Sequence, residues 1–335
     1  MRTLRKPAKV IRTAPRLSTD DLLAIQKLSP ADVETILNLT GLVKARPAEF
    51  RESLGGKQIV LVFEKPSLRT RLTFESGVAS LGGNSLFVDQ TQSRIDAREK
   101  LSDIAHNLER WMDGIVLRTF AHETVVEMAG HASIPVINGL SEREHPCQAL
   151  ADYFTLQEKF HDLSAIKVAY VGDGNNVAHS LMLTAASLGS RITVATPAGY
   201  EPKADIVEAA RRMASRTGTT VEVVHDPLEA VSGADAVYTD VWASMGQESE
   251  ATERRKIFAP FQVNRKLMEH ARERALFMHC LPAHRGDEVT DEVIDSVQSA
   301  VFDQAENRLH AQKAILMLLL GNGTSGSLHS WSIHA

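Results

Sequence analysis

The sequence predicts an α/β protein built as two doubly wound parallel-sheet domains with a cleft between them. Short apolar runs rich in β-formers alternate with longer segments whose apolar residues recur at helical spacing, and that alternation is βαβ grammar. The runs are too many for one ordinary open sheet. At 335 residues the chain is long enough for two domains with substantial cores.

In chain order the strand candidates are "QIVLVFE" from Gln58, "NSLFVD" from Asn84, "GIVLRTF" from Gly114, "IPVINGL" from Ile134, "KVAYVGD" from Lys167, "RITVATP" from Arg191, "VEVVHD" from Val221, "AVYTDVW" from Ala236 and "LFMHCLP" from Leu276. Segments such as "VAHSLMLTAASLG", from Val177, supply the intervening helices. The helix "HPCQALADYFTLQEKFHDL", from His145, lies near the middle and reads as the connector between domains. "AILMLLL", from Ala314, is far shorter than the roughly 20 residues that span a bilayer and reads as a core helix.

Composition narrows the function. A net charge of -5 gives no global pull toward nucleic acid or anionic membrane. The two cysteines, Cys147 and Cys280, imply no disulfide framework and suit a reducing compartment. The first sixteen residues carry six Lys or Arg and no acid. They read either as a short disordered basic extension in a cytoplasmic protein or as a transit peptide to an organelle matrix. The tail over 322–335 is rich in Gly and Ser and reads as flexible.

Ligands of open α/β sheets bind beyond the carboxyl ends of the strands. The stretches standing there are "KPSLRTR", "RTFAHE", "SEREHPCQ", "GDGNN", "DVWASMG" and "HCLPAHRG". The first turns at Lys65-Pro66 and enters a helix near Ser67. A helix N-terminus exposes unpaired N–H groups and attracts anions. Ser67 and Thr70 add hydroxyls, and Arg69 adds a planar fork suited to phosphate. A plain N-cap serine beside surface arginines fits the same residues. Arg71 reads as the partner of an acid, and Arg118 is a third cation at a strand end.

His145 precedes a proline at a helix start, and Gln148 follows three residues later on the same face. The pair suits a carbonyl oxygen and an amide NH2 of a small ligand, or a capping cluster. "GDGNN" is a weak dinucleotide fingerprint: Val177 occupies the place of the third glycine, and no acid follows "RITVATP" to hold a ribose. Asn175 and Asn176 there suit direct contact with a polar ligand. Asp240 and Cys280 stand at strand ends, and the Leu281–Pro282 bond is a candidate for the cis form. His279 and Cys280 are adjacent, so strand alternation points them to opposite faces and argues against a nucleophilic dyad. The Cys, His and Asp spacings match no closed zinc pattern, so no metal and no cofactor are expected.

Together the motifs "SLRTR", "HPCQALADY", "GDGNN", "DVWASMGQE", "HCLPAHRG" and "AENR", in that order from about Leu17 to Leu320, resemble the ornithine carbamoyltransferases of the aspartate/ornithine transcarbamylase family. The resemblance implies a carbamoyl-phosphate domain over 1–150, an ornithine domain over 151–307 and a final helix over 308–321 that packs back onto the first domain. It implies that Ser67, the backbone of Leu68, Arg69, Thr70 and Arg118 bind phosphate. Arg69, Thr70, His145, Gln148 and Arg308 would hold the carbamoyl group, with Cys280 and Leu281 closing the site. Asn176, Asp240, Ser244 and Met245 would hold ornithine; Asp240 would orient its amine, and Cys280 would take or polarise a proton. The site would lie at a subunit boundary of a homotrimer, alone or within a higher assembly of trimers. Two departures stand out: Leu68, where many relatives have Thr, and the loop "QTQSRIDAREKLSD", where Arg94 and Asp96 replace a frequent Gln and Gly. That loop would reach the neighbouring subunit's phosphate. Competing readings are a transcarbamylase for another amine, such as N-acylated ornithine or putrescine, a non-catalytic homologue, and a nicotinamide dehydrogenase. The joint presence of Arg69, His145, Asp240 and Cys280 argues against the second, and the missing third glycine against the last.

Overall fold

Among the described residues, nine parallel strands form where the sequence places them. The computed structural model describes residues 16–92, 94–243 and 248–321. The basic N-terminus up to Ala14-Pro15, the Gly/Ser-rich tail, Ser244 and Met245 lie outside the described residues. β1 (Gln58–Phe63), β2 (Asn84–Asp89), β3 (Gly114–Arg118) and β4 (Val136–Leu140) make one parallel sheet in the order β2-β1-β3-β4. β5 (Lys167–Val171), β6 (Arg191–Ala195), β7 (Val221–Val224), β8 (Ala236–Thr239) and β9 (Leu276–His279) make a second, in the order β7-β6-β5-β8-β9.

The helices are α1 (Pro30–Ala45), α2 (Leu68–Ser80), α3 (Leu101–Trp111), α4 (His122–His131), α5 (Pro146–Phe160), α6 (Asn176–Leu188), α7 (Ala204–Thr217), α8 (Pro227–Val231), α9 (Ala251–Phe258), α10 (Arg265–Met268), α11 (Asp291–Ile294) and α12 (Val301–Leu320). They cover both faces of each sheet, which is why the central strands read as unbroken apolar runs. Along β1, Ile59, Leu61 and Phe63 join the core formed with α2, α5 and α12, while Val60 and Val62 pack with Leu101, Ala105, Val125 and Met128 of α3 and α4. β5 alternates likewise: Val168 and Tyr170 face one core, Ala169 and Val171 the other.

Two helices tie the halves together. α5 is buried from Pro146 to Leu156 and packs on β4, α1, α6 and α12. α12 starts beside β9, where the Ala300 N–H donates to the Phe277 carbonyl at 2.9 Å. It runs past α5 and α2 to bring Leu320 against β3, so close that a Cβ at Gly114 would meet it at 2.9 Å. The helix begins at Val301, earlier than the 308 read from sequence, because no Gly or Pro interrupts the stretch after Ala300. Burying Ala314, Ile315 and Leu316 makes "AILMLLL" part of the core.

Strand order reverses between β1 and β3 in the first sheet and between β5 and β8 in the second. Crevices open at the carboxyl ends of such switch points. "KPSLRTR" and Arg118 flank the first; "GDGNN" and Asp240 flank the second.

Candidate active site

The two switch points border one cleft of about 430 Å³. Ser67, Leu68, Arg69, Thr70, Arg118, His145, Gln148, Asn176, Asp240, Cys280, Leu281 and Arg308 all line it.

α2 opens on the cleft. Ser67 is its N-cap: the hydroxyl accepts from the Thr70 N–H at 3.4 Å and donates to Thr70 Oγ1 at 2.9 Å. The capping role and a place in the cleft therefore coexist. Arg308, from α12, donates through Nη2 to Thr70 Oγ1 at 2.8 Å. Arg118 ends β3 and is buried; burial and then Arg308 pull its guanidinium down to about 9. Burial likewise lowers Arg308. Among the described residues no carboxylate forms a salt bridge with Arg69, Arg118 or Arg308, and the Nε atoms of Arg118 and Arg308 have no hydrogen-bond partner. Arg71, by contrast, pairs with Glu75 at 3.0 Å and stacks on Phe87, as a structural arginine does.

His145 occupies the N-cap position of α5, but its side chain caps nothing. The peptide N–H of His145 donates to Ser180 Oγ at 2.9 Å, which fixes its backbone across the domain boundary. Burial, then Arg308 and Arg118, push the imidazole well below the ordinary histidine range, so it is neutral at physiological pH. Its Nδ1 has no partner. Gln148 donates Nε2 to Asp152 at 2.7 Å, which leaves its Oε1 without one.

On the facing wall, Asp240 is held from both sides. Asn175 Nδ2 donates to one carboxylate oxygen at 2.8 Å and the Cys280 thiol to the other at 3.0 Å. Asn175 does not line the cleft; its Oδ1 caps α6 at the Val177 and Ala178 N–H groups. Its neighbour Asn176 does line the cleft, and donates to the Ser141 carbonyl at 2.6 Å. Gly174 of "GDGNN" answers to packing, since a Cβ there would sit 2.2 Å from Pro202 N, and Gly172 to its φ of 146°.

Cys280 corrects two expectations. Burial, then the Asp240 carboxylate, hold the thiol well above its usual range. It is a hydrogen-bond donor, not a proton acceptor. Nor do His279 and Cys280 point apart: β9 stops at His279, and the chain turns at Leu281 (φ 58) into a cis Leu281–Pro282 bond, so the alternation argument does not reach Cys280. Polar atoms of Asp240, His279 and Cys280 lie within 4.8 Å of one another. A dyad is excluded for another reason. His279 Nδ1 accepts the Leu281 N–H at 2.8 Å, so Nε2 carries the proton and faces Glu288 Oε1 at 3.2 Å. With both ring nitrogens engaged, the imidazole offers no lone pair to the thiol or to a metal.

Arg94 is not brought to this cleft. It lies exposed and forms a two-point pair with its neighbour Asp96, at 3.0 and 2.9 Å. The loop is anchored next to it, where the Ile95 N–H reaches Glu64 Oε1 at 3.0 Å. Two titratable cleft residues were given no ligand role in the sequence, Lys65 and His284. Lys65 sits over the Phe120 ring at 4.6 Å; burial and then Arg118 lower its ammonium. Its place just after β1 was the available signal.

Comparison with known proteins decides the family. The carbamoyl-P binding domain of aspartate/ornithine carbamoyltransferases matches residues 20–158, and the Asp/Orn binding domain matches 164–319. The chain belongs to the aspartate/ornithine carbamoyltransferase family. The ornithine carbamoyltransferase of Thermococcus kodakarensis is 51% identical over 307 residues, covering 91% of this chain and 98% of that protein. The solved ornithine carbamoyltransferase of Pyrococcus furiosus superposes with a TM-score of 0.88 at 49% identity, over 92% of this chain and 99% of that one. A less similar solved structure, an acetylornithine transcarbamylase complexed with acetylcitrulline, superposes with a TM-score of 0.82 at 30% identity, over 90% of this chain and 99% of that one. Among the described residues no helix is long and apolar enough to cross a membrane.

Proposed function

We propose that this chain transfers the carbamoyl group of carbamoyl phosphate to the δ-amine of L-ornithine, giving L-citrulline and phosphate. One observation carries the reading: unpaired guanidinium groups share a wall with a neutral histidine and a free glutamine carbonyl, opposite a doubly held carboxylate. Ser67, the backbone at Leu68, Arg69, Thr70 and Arg118 bind the phosphate. His145, Arg69, Thr70 and Arg308 face the carbamoyl oxygen, and Gln148 Oε1 accepts from its NH2.

The reaction follows from that arrangement. A neutral δ-amine attacks the carbamoyl carbon, and charge develops on the carbonyl oxygen of the tetrahedral intermediate. Fixed donors stabilise that charge without reorganising. Holding both substrates in attack geometry contributes several kcal/mol, up to roughly 7–11. Asp240 orients the δ-amine of ornithine, and Asn176, Ser244 and Met245 complete the set that holds the amino acid. Cys280 donates its S–H to Asp240, and the departing phosphate accepts the amine's proton. Cys280 and Leu281 close the site over the reacting atoms.

Leu68, Leu72, Leu86 and Val88 are exposed on α2 and the edge strand β2. This apolar stripe supports a homotrimer in which the Arg94 loop reaches the neighbouring phosphate site. The cytoplasm fits the free thiols. Citrulline formation, assayed against ornithine, aspartate, lysine, putrescine and N-acetylornithine, tests the activity. A preference for N-acetylornithine or putrescine overturns the ornithine assignment.

A further inference from the structure

Four residues of the buried core fix the direction of one amide in the cleft. The chain of donors starts at a group that cannot be reversed: the His279 peptide N–H donates to Gln304 Oε1 at 3.0 Å. Gln304 must then turn Nε2 the other way, where it reaches Asp152 Oδ1 at 2.7 Å and Tyr238 Oη at 3.1 Å. Asp152 Oδ1 is thereby an acceptor, and it also takes Gln148 Nε2, at 2.7 Å. Tyr238 donates to Asp152 Oδ2 at 3.0 Å. Asp152 is wholly buried, and burial pushes its carboxyl up to about 7. A proton taken up there goes to Oδ2, because Oδ1 already receives two N–H donors. Gln148 therefore presents its carbonyl to the cleft whether or not Asp152 is charged. That carbonyl has no partner within the protein.

We propose that Asp152 is a positioning residue that locks Gln148 with its acceptor toward the ligand, and so makes the site select an acyl phosphate bearing NH2 over one bearing CH3. This rests on the carbamoyl-phosphate reading above and assigns the donor specificity of that site. Carbamoyl phosphate satisfies Gln148 Oε1. Acetyl phosphate, nearly identical in shape, leaves that oxygen buried and unpaired, which a site built for the hydrogen bond rejects strongly. Asp152 and Gln148 lie one helical turn apart on α5, so the lock is local, while Gln304 and Tyr238 brace it from α12 and β8.

The test measures the KM for carbamoyl phosphate and the Ki of acetyl phosphate as a competitor, in the wild type and in Asp152→Ala and Asp152→Asn. The wild type favours carbamoyl phosphate. Asp152→Ala reduces that preference about 10-fold or more, because KM rises while Ki hardly moves. Asp152→Asn keeps the preference, since its Oδ1 can accept both amides. An unchanged ratio in Asp152→Ala, or parallel losses for both ligands, overturns the proposal. Should Asp152→Ala fail to fold, neutron diffraction of the deuterated wild type decides instead: the Gln148 amide deuterons face Asp152, and the opposite orientation overturns the proposal. Absence of any preference in the wild type would instead refute the carbamoyl-phosphate reading itself.

Discussion

Asn175→Asp separates the positioning of Asp240 from the capping of α6. Asn and Asp cap helices about equally well, so the bonds from the Val177 and Ala178 N–H groups survive the substitution. What disappears is the Nδ2 donor 2.8 Å from Asp240. A hydrogen bond to a charged acceptor contributes about 1.5–3 kcal/mol, so its loss alone predicts a drop of about 10- to 150-fold in kcat/KM for ornithine. A second carboxylate now faces the first, and two like charges about 4 Å apart repel by roughly 4 kcal/mol in surroundings of intermediate polarity. Steady-state kinetics with ornithine varied at saturating carbamoyl phosphate, beside thermal unfolding, is the assay. The expected pattern is a large loss in kcat/KM with Tm nearly unchanged. Activity within about 3-fold of wild type would refute the reasoning, because the electrostatic penalty admits no such tolerance.

Other outcomes follow from the same geometry. Arg69→Ala is expected to lose at least about 2 kcal/mol of transition-state stabilisation, read from kcat/KM; near-full activity would remove Arg69 from the anion wall. Burial pushes Glu144 up to about 7 from 4.5, so the folded state holds its proton more tightly than the unfolded chain. Its contribution to stability is complete below about pH 4.5 and lost as pH rises through about 7, so Glu144→Gln flattens the fall of Tm across that window; an unaltered slope would contradict the assignment. Mixing Arg94→Ala chains with Arg69→Ala chains under verified subunit exchange is expected to restore activity in hybrids. Activity no greater than the sum of the two parents would confine Arg94 to its pair with Asp96.

The strands were legible because sheets covered on both faces demand continuous apolar runs, and the cleft was legible because polar residues cluster where such strands end. Spacing could not separate Asn175 from Asn176. The two are adjacent and identical in type, and only the start of α6 decides that one turns back to Asp240 while the other faces the cleft. Strand alternation misjudged His279 and Cys280 because it was carried one residue past the end of β9. Asp152 was invisible for a further reason: an acid in a buried helix face becomes meaningful only once Tyr238 and Gln304, distant in sequence, converge on it.

The two walls of the cleft differ in how completely they are satisfied. On the wall proposed for ornithine, Asp240 has both oxygens engaged, by Asn175 and Cys280. On the wall proposed for carbamoyl phosphate, Arg118 and Arg308 are buried with free Nε atoms and no carboxylate partner among the described residues. Unpaired buried cations are costly, and an anion that accepts from them removes the cost. Burying Ala314, Ile315 and Leu316 of α12 supplies apolar stabilisation close to Arg308, so the helix can carry an unpaired guanidinium into the cleft. Most of the ligand-dependent stabilisation should therefore come from the phosphate wall, while the carboxylate wall supplies direction. Inorganic phosphate alone is then expected to raise Tm, and ornithine alone to raise it far less. A larger shift with ornithine alone would invert the assignment of the two walls.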